Sequence, residues 1–200
     1  MRSAVHKLRR VTADAAARVF ATAVRRGLPR RGVLLLVEVA APRMIVITGD
    51  GVLQQFVIST AANGLGCERG SSATPFGWHR VAARIGGNKK IGQVFVSRRA
   101  TTEILAPAQW RGAIDGDRIV SRILRLAGLE PGVNQGGACD SFTRFIYIHG
   151  TNQEQRLGKP ASHGCVRMSN RDVVELFDLV AHREAWCWIG LRVRDVFEKA

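Results

Sequence analysis

Residues 147–170 read YIHGTNQEQRLGKPASHGCVRMSN, a stretch that holds two histidines and one cysteine within 17 residues, bracketed by Gly150, Gly158 and Gly164. A thiol attacks an amide only as thiolate, and a neighbouring imidazole supplies the base that generates it near neutral pH. Cys165 with a nearby histidine is therefore a candidate nucleophile pair. Gly164, immediately before the cysteine, lets the backbone approach a substrate closely and take angles that other residues resist. Amide N–H groups around Gly164 and Cys165 could then face a developing tetrahedral oxyanion, where one donor contributes roughly 2.7–4 kcal/mol in the transition state. A rival constellation, zinc held by Cys139, His149, His163 and Cys165, has suitable residue types, but His163 and Cys165 stand only two positions apart, which is tight for a shared ion.

Outward from this stretch, residues 142–149 (FTRFIYIH) read as a strand that delivers His149 to its end. Downstream, residues 169–181 carry a Ser or Asn cap, Asp172 in the first turn and apolar residues at 173, 174, 176, 177 and 180, the pattern of an amphipathic helix. A last strand is expected over 187–196. Upstream, β-rich runs at 33–39, 44–48 and 52–59 enclose Gly49, Asp50 and Gly51, which makes a hairpin of the last two. Residues 61–75 are rich in Gly and Ser and read as a long loop. Strand-like runs return at 78–85 and 93–96, followed by a polar, irregular stretch to Asp117. Residues 119–129 are ambiguous, since apolar positions 119, 120, 123, 124, 126 and 129 fit a helix slightly better than a strand.

The SHGCVR run (Ser162 to Arg167), with HGTN beginning 14 positions before its histidine, resembles the L,D-transpeptidase catalytic domain, the YkuD-like family. Ser59 and Thr60 at a strand end, TPFGWH from Thr74 to His79, and RFIYIHGTN from Arg144 to Asn152 agree in order, so the resemblance runs from about Val33 to Val196. It implies a mainly β fold with some α: a β-sandwich-like catalytic domain with one helix after the catalytic loop. It further implies a cofactor-free thiol enzyme whose acyl donor is a peptidoglycan tetrapeptide stem. Cys165 is then the nucleophile and His149 the general base, oriented by the Gly150 carbonyl. His163 and Gly164 shape the oxyanion hole, and Ser162 supports the loop. Arg167 either pairs with a substrate carboxylate or holds the loop through an internal salt bridge. Trp78 and Thr74 are the remaining candidate substrate contacts, Thr74 also fitting a turn. The acyl group passes to an amine, forming a 3→3 cross-link, or to water, as in an L,D-carboxypeptidase. The family also implies the periplasm or cell envelope, and a monomer is expected.

Composition bounds these readings. Hydrophobic residues make up 46% and charged residues 23% of 200 residues, enough apolar side chain for one domain with a core. Net charge is +14, and residues 1–31 alone hold nine Lys or Arg against Asp14, which sets them apart as a basic extension, with a helix expected over 11–24, before a catalytic domain over 32–200. Such charge also suits a non-catalytic module that binds an anionic polymer. No helix-turn-helix, zinc-finger or RNA-recognition signature accompanies it, so no nucleic-acid partner is expected. No apolar run forms a secretory signal, and none approaches the ~18 residues of a membrane span. The cysteines, Cys67, Cys139, Cys165 and Cys187, include no CxxC pair, and at most one disulfide is expected.

Overall fold

The computed structural model describes residues 12–112 and 116–197. Helix α1 (Ala13–Arg25) opens at Thr12, whose hydroxyl accepts the Ala15 N–H, and the start expected for it at residue 11 lies outside the described residues. Its apolar face carries Ala16, Val19, Phe20 and Ala23, which are buried against Leu34, Leu36, Ile45, Ile47 and Trp186. Two of its basic neighbours lie over aromatic rings, Arg18 on Phe197 and Arg26 on Trp78.

Strands β1 (Val33–Glu38), β2 (Arg43–Thr48) and β3 (Gly51–Val57) follow as a meander, and the Thr48↔Gly51 register leaves Gly49–Asp50 as the two-residue turn. Every residue of β1 and β2 is buried, so these strands read as unbroken apolar runs instead of alternating ones. After a long loop come β4 (Gly77–Ile85), β5 (Gln93–Val96), β6 (Arg99–Ile104) and β7 (Ile119–Gly128). The chain then forms β8 (Tyr147–Thr151), β9 (Val166–Met168), α2 (Asn170–Leu179) and β10 (Ala185–Gly190). All strands join one sheet in the order β3-β2-β1-β10-β4-β7-β5-β6, from which β8 branches off β7, and β9 off β8. The sheet folds over so that Leu35 and Val46 share a core with Leu124, Ile148, Val166 and Leu176. The fold is thus mainly β, two sets of strands across a common core, with α2 following the 162–165 turn.

One open reading is decided and three are corrected. Residues 119–128 are a strand: Ser121 takes φ 68° and the β7–β8 register shifts between Val120 and Ile123, so a bulge produces the helix-like spacing of apolar residues. The strand expected over 142–149 begins only at Tyr147. Asp140 accepts the Thr143 N–H on its side chain and the Arg144 N–H on its carbonyl, which curls the chain into turns that end at Phe145, φ 58°. The polar stretch after residue 96 contains β6, joined to β5 by a turn at Ser97 and Arg98, both with positive φ and neither the usual Gly or Asn. The last strand ends at Gly190, and Val193–Phe197 forms a 3-10 turn whose start is closed by the Asp195 carboxylate accepting the Arg192 N–H.

Candidate active site

β7, β8 and β9 build the site. The register pairs Ile123 and Arg125 of β7 with His149 and Tyr147 of β8, and β8 pairs in parallel with β9 as Ile148↔Val166 and His149↔Arg167. Side chains alternate along a strand, so Cys165, one residue before Val166, emerges beside Tyr147 on the same face as His149 and Arg167. Cys165 packs against the cluster of Phe95, Ile123 and Tyr147. Nucleophile and base candidates therefore share one face, although they stand 16 positions apart in the chain.

His149 is 2% exposed, and its Nδ1 lies 2.8 Å from the Gly150 carbonyl. A carbonyl only accepts, so Nδ1 carries the proton and Nε2 keeps its lone pair. Burial holds the imidazole below its ordinary pKa of 6.5. The Gly150 hydrogen bond and the Asp117 charge oppose that shift, and Arg167 reinforces it. A side chain at Gly150 would meet Asn170 Oδ1 and the Val120 carbonyl, both at 2.6 Å, so β8 can pass here only as glycine.

The Cys165 thiol donates to the Phe145 carbonyl at 3.6 Å. Its pKa is raised from 9.0 to about 11, first by burial and also by Asp117, against the lowering effects of a backbone hydrogen bond from Tyr147, Arg167 and Arg144. Burial thus favours the neutral form of both groups.

Ser162 shapes the turn: its hydroxyl donates to the Cys165 carbonyl at 2.5 Å and accepts the Gly164 N–H at 3.2 Å. That second bond removes the Gly164 amide from the oxyanion donors the sequence offered. Gly164 has φ 134°, and a Cβ there would meet the Ala73 carbonyl at 3.3 Å. His163 is exposed and lines a cavity of about 340 Å3 with Arg69, Ser72, Thr143 and Phe145.

Arg167 is 1% exposed and its guanidinium is engaged by the Asp117 carboxylate and by Gln153 Oε1, so it occupies the internal salt bridge foreseen as one of its two roles. Thr74 is fully buried, with Oγ1 accepting the Ala61 N–H, and fastens the 61–75 loop. Trp78 is 2% exposed in the second core, its ring 6.3 Å from that of Trp186, and offers no surface to a substrate. Among the described residues, no three His, Cys, Asp or Glu side chains gather as metal ligands would.

Sequence reasoning missed Asp117, which lies 50 positions from its partner. It also missed Arg144, whose guanidinium donates to the carbonyls of Gly66, Cys67 and Ala73 and laces the 61–75 loop against the catalytic turn. Arg144 lay inside a motif that was read, but nothing local pointed to its carbonyl partners.

The sequence profile of the YkuD family, the L,D-transpeptidase catalytic domain, matches residues 32–193. YkuD of Bacillus licheniformis, named as a candidate L,D-transpeptidase, is 58% identical over 52 residues, 26% of this chain and 32% of that protein. The match thus spans about a third of the length of that curated relative. L,D-transpeptidase 3 of Mycobacterium tuberculosis superimposes with a TM-score of 0.48 and 14% identity, over 80% of this chain and 61% of that one. An L,D-transpeptidase from Xylanimonas cellulosilytica (residues 123–326) gives 0.45 and 15%, over 88% and 77%.

Proposed function

The chain belongs to the L,D-transpeptidase catalytic domain family, whose members act on peptidoglycan, and on that footing we propose that it is a cysteine-dependent L,D-transpeptidase of the cell envelope. The observation that carries the reading is the β8–β9 pairing, which sets Cys165 on the face of His149 behind a glycine of φ 134°. The acyl donor is a tetrapeptide stem. As Cys165 Sγ attacks the carbonyl carbon of diaminopimelate, its proton passes to His149 Nε2 and the carbonyl electrons move to oxygen. The tetrahedral intermediate collapses, the bond to D-Ala breaks, and the leaving amine takes the proton from His149. A thioester on Cys165 remains. A second amine, deprotonated by His149, attacks that thioester and releases the thiol, giving a 3→3 cross-link or another amide.

Gly150 holds the imidazole in its working tautomer, and Ser162 fixes the curvature of the 162–165 turn. Thr74 and Trp78 keep structural roles.

Purified protein incubated with disaccharide tetrapeptide should yield a cross-linked dimer by mass spectrometry, or a tripeptide if water resolves the thioester. A carbapenem should add its mass to Cys165. Neither product nor adduct, with the thiol demonstrably free, would remove the assignment.

A further inference from the structure

Beside the nucleophile, two arginines and two exposed aromatic rings interleave in a way that the chemistry above leaves unused. Arg98 lies over the Phe145 ring at 4.9 Å and donates to the Tyr147 hydroxyl at 3.1 Å. Arg125 lies over the same ring at 5.4 Å and over Phe142 at 3.4 Å, and donates to the Phe142 carbonyl. The ladder adjoins the reacting atoms: Phe145 supplies the carbonyl that receives the Cys165 thiol, and Tyr147 packs in the cluster that Cys165 joins.

Two features mark a ligand site here, the first of them for an anion. First, the Arg98 charge disfavours that of Arg125, and among the described residues neither makes an ion pair with a carboxylate. Asp140, whose charge acts on Arg125, has its oxygens already engaged by the N–H groups of Gly136 and Thr143. Arg125 Nε is buried with no partner, an unspent donor. Second, Phe142 and Phe145 are 37% and 49% exposed, a loss of apolar burial that a bound ligand would restore.

We infer that Arg98 and Arg125, spaced by Phe145 and Phe142, recognise a side-chain carboxylate of the acyl-donor peptide while its scissile carbonyl lies at Cys165. The inference rests on the proposed acyl transfer and deepens it by giving the donor's charge a receptor. Stacking on the rings fixes the guanidinium planes, so less rotamer freedom is lost when the ligand binds, and a planar fork matches a carboxylate.

The test compares two donors, the tetrapeptide with its free carboxylates and the same peptide with its side-chain carboxylates amidated, by the kinetics of D-Ala release and of acyl-Cys165 formation. Wild type should favour the acid form by roughly tenfold to hundredfold in KM. Arg98→Gln and Arg125→Gln should each raise KM for the acid form and pull the acid-to-amide ratio toward one, with the larger effect in KM than in kcat. Arg98→Lys should keep part of the preference. Equal KM values for the two donors in wild type, with normal acylation, would overturn the carboxylate site while leaving the transferase reading intact. No acylation by either donor would overturn both. A preference that survives in variants with the wild-type melting temperature would also overturn the site.

Discussion

The alkylation of Cys165 by iodoacetamide should rise with pH as a single line of unit slope, without a plateau at neutral pH. Burial lifts the thiol pKa from 9.0 to about 11. At pH 7 about one thiol in ten thousand is then ionised, against about one in a hundred for an unshifted group. Alkylation at pH 7 should therefore run roughly a hundredfold slower than for an exposed reference thiol, and the deficit should close only above pH 10. The thiol's burial and the lowered His149 pKa act in the same direction, since neither group gains by charging alone. Asp117 adds to the effect because its negative charge disfavours a thiolate. Rates would be followed by peptide mapping of the Cys165 fragment, which separates it from Cys67, Cys139 and Cys187. A rate that levels off below pH 8 would mean a preformed thiolate and imidazolium, and the neutral-pair account would be wrong. The lowered His149 pKa makes a second statement with a definite sign. The base works when neutral, so the acid limb of kcat/KM should lie below pH 6.5.

Asp117→Asn should lose roughly 2–3 kcal/mol of stability by denaturant melts, short of the full ~3–5 kcal/mol for a buried pair because Asp117 keeps 29% side-chain exposure. The same variant should alkylate faster at Cys165 at a given pH, because a charge that opposes the thiolate is gone while Arg167 remains. Gly164→Ala should cut kcat/KM by about a hundredfold with a stability cost of only ~1–3 kcal/mol, since φ 134° is strained for alanine; near-normal turnover would show that the turn does not need its glycine. Phe20→Ala should cost about 3–5 kcal/mol by thermal or denaturant unfolding, because the ring is 6% exposed in the second core. An effect below 1 kcal/mol would mean that α1 is only loosely attached.

What the sequence disclosed depended on whether a signal was local. The SHGC turn, the Gly49–Asp50 hairpin and the Ser169 cap, whose hydroxyl accepts the Asp172 N–H, are decided within a few residues, and each was legible. β7 was not, because Ser121 breaks the period of two and makes a strand resemble a helix. The turn at Ser97 and Arg98 lacked the residues that usually announce a two-residue hairpin. Arg167 could be read as substrate-binding or as structural with equal justice, since the carboxylate that decides between them is Asp117, 50 positions away. Trp78 illustrates the reverse: Thr74 of the same motif fastens the 61–75 loop, yet strand alternation turns the Trp78 ring into the second core.

Burial bears on how the proposed acyl transfer would begin. Burial raises the thiol and lowers the imidazole, so moving a proton from Cys165 to His149 is uphill before the mutual attraction of the two charges is counted. A stable ion pair is therefore not the resting state, and proton transfer is most economical when it accompanies attack, as the negative charge moves from sulfur to the carbonyl oxygen. The low dielectric that opposes an idle thiolate strengthens whatever donors meet that oxygen. Gly164, whose own amide is held by Ser162, contributes by shape: its missing side chain lets the turn lie against the Ala73 carbonyl. A thiol kept neutral in this way is also a poor target for oxidants, because susceptibility follows thiolate character. On the proposed reading, one arrangement would make the cysteine sluggish toward small electrophiles and reactive once an acyl donor fills the face shared by β7, β8 and β9.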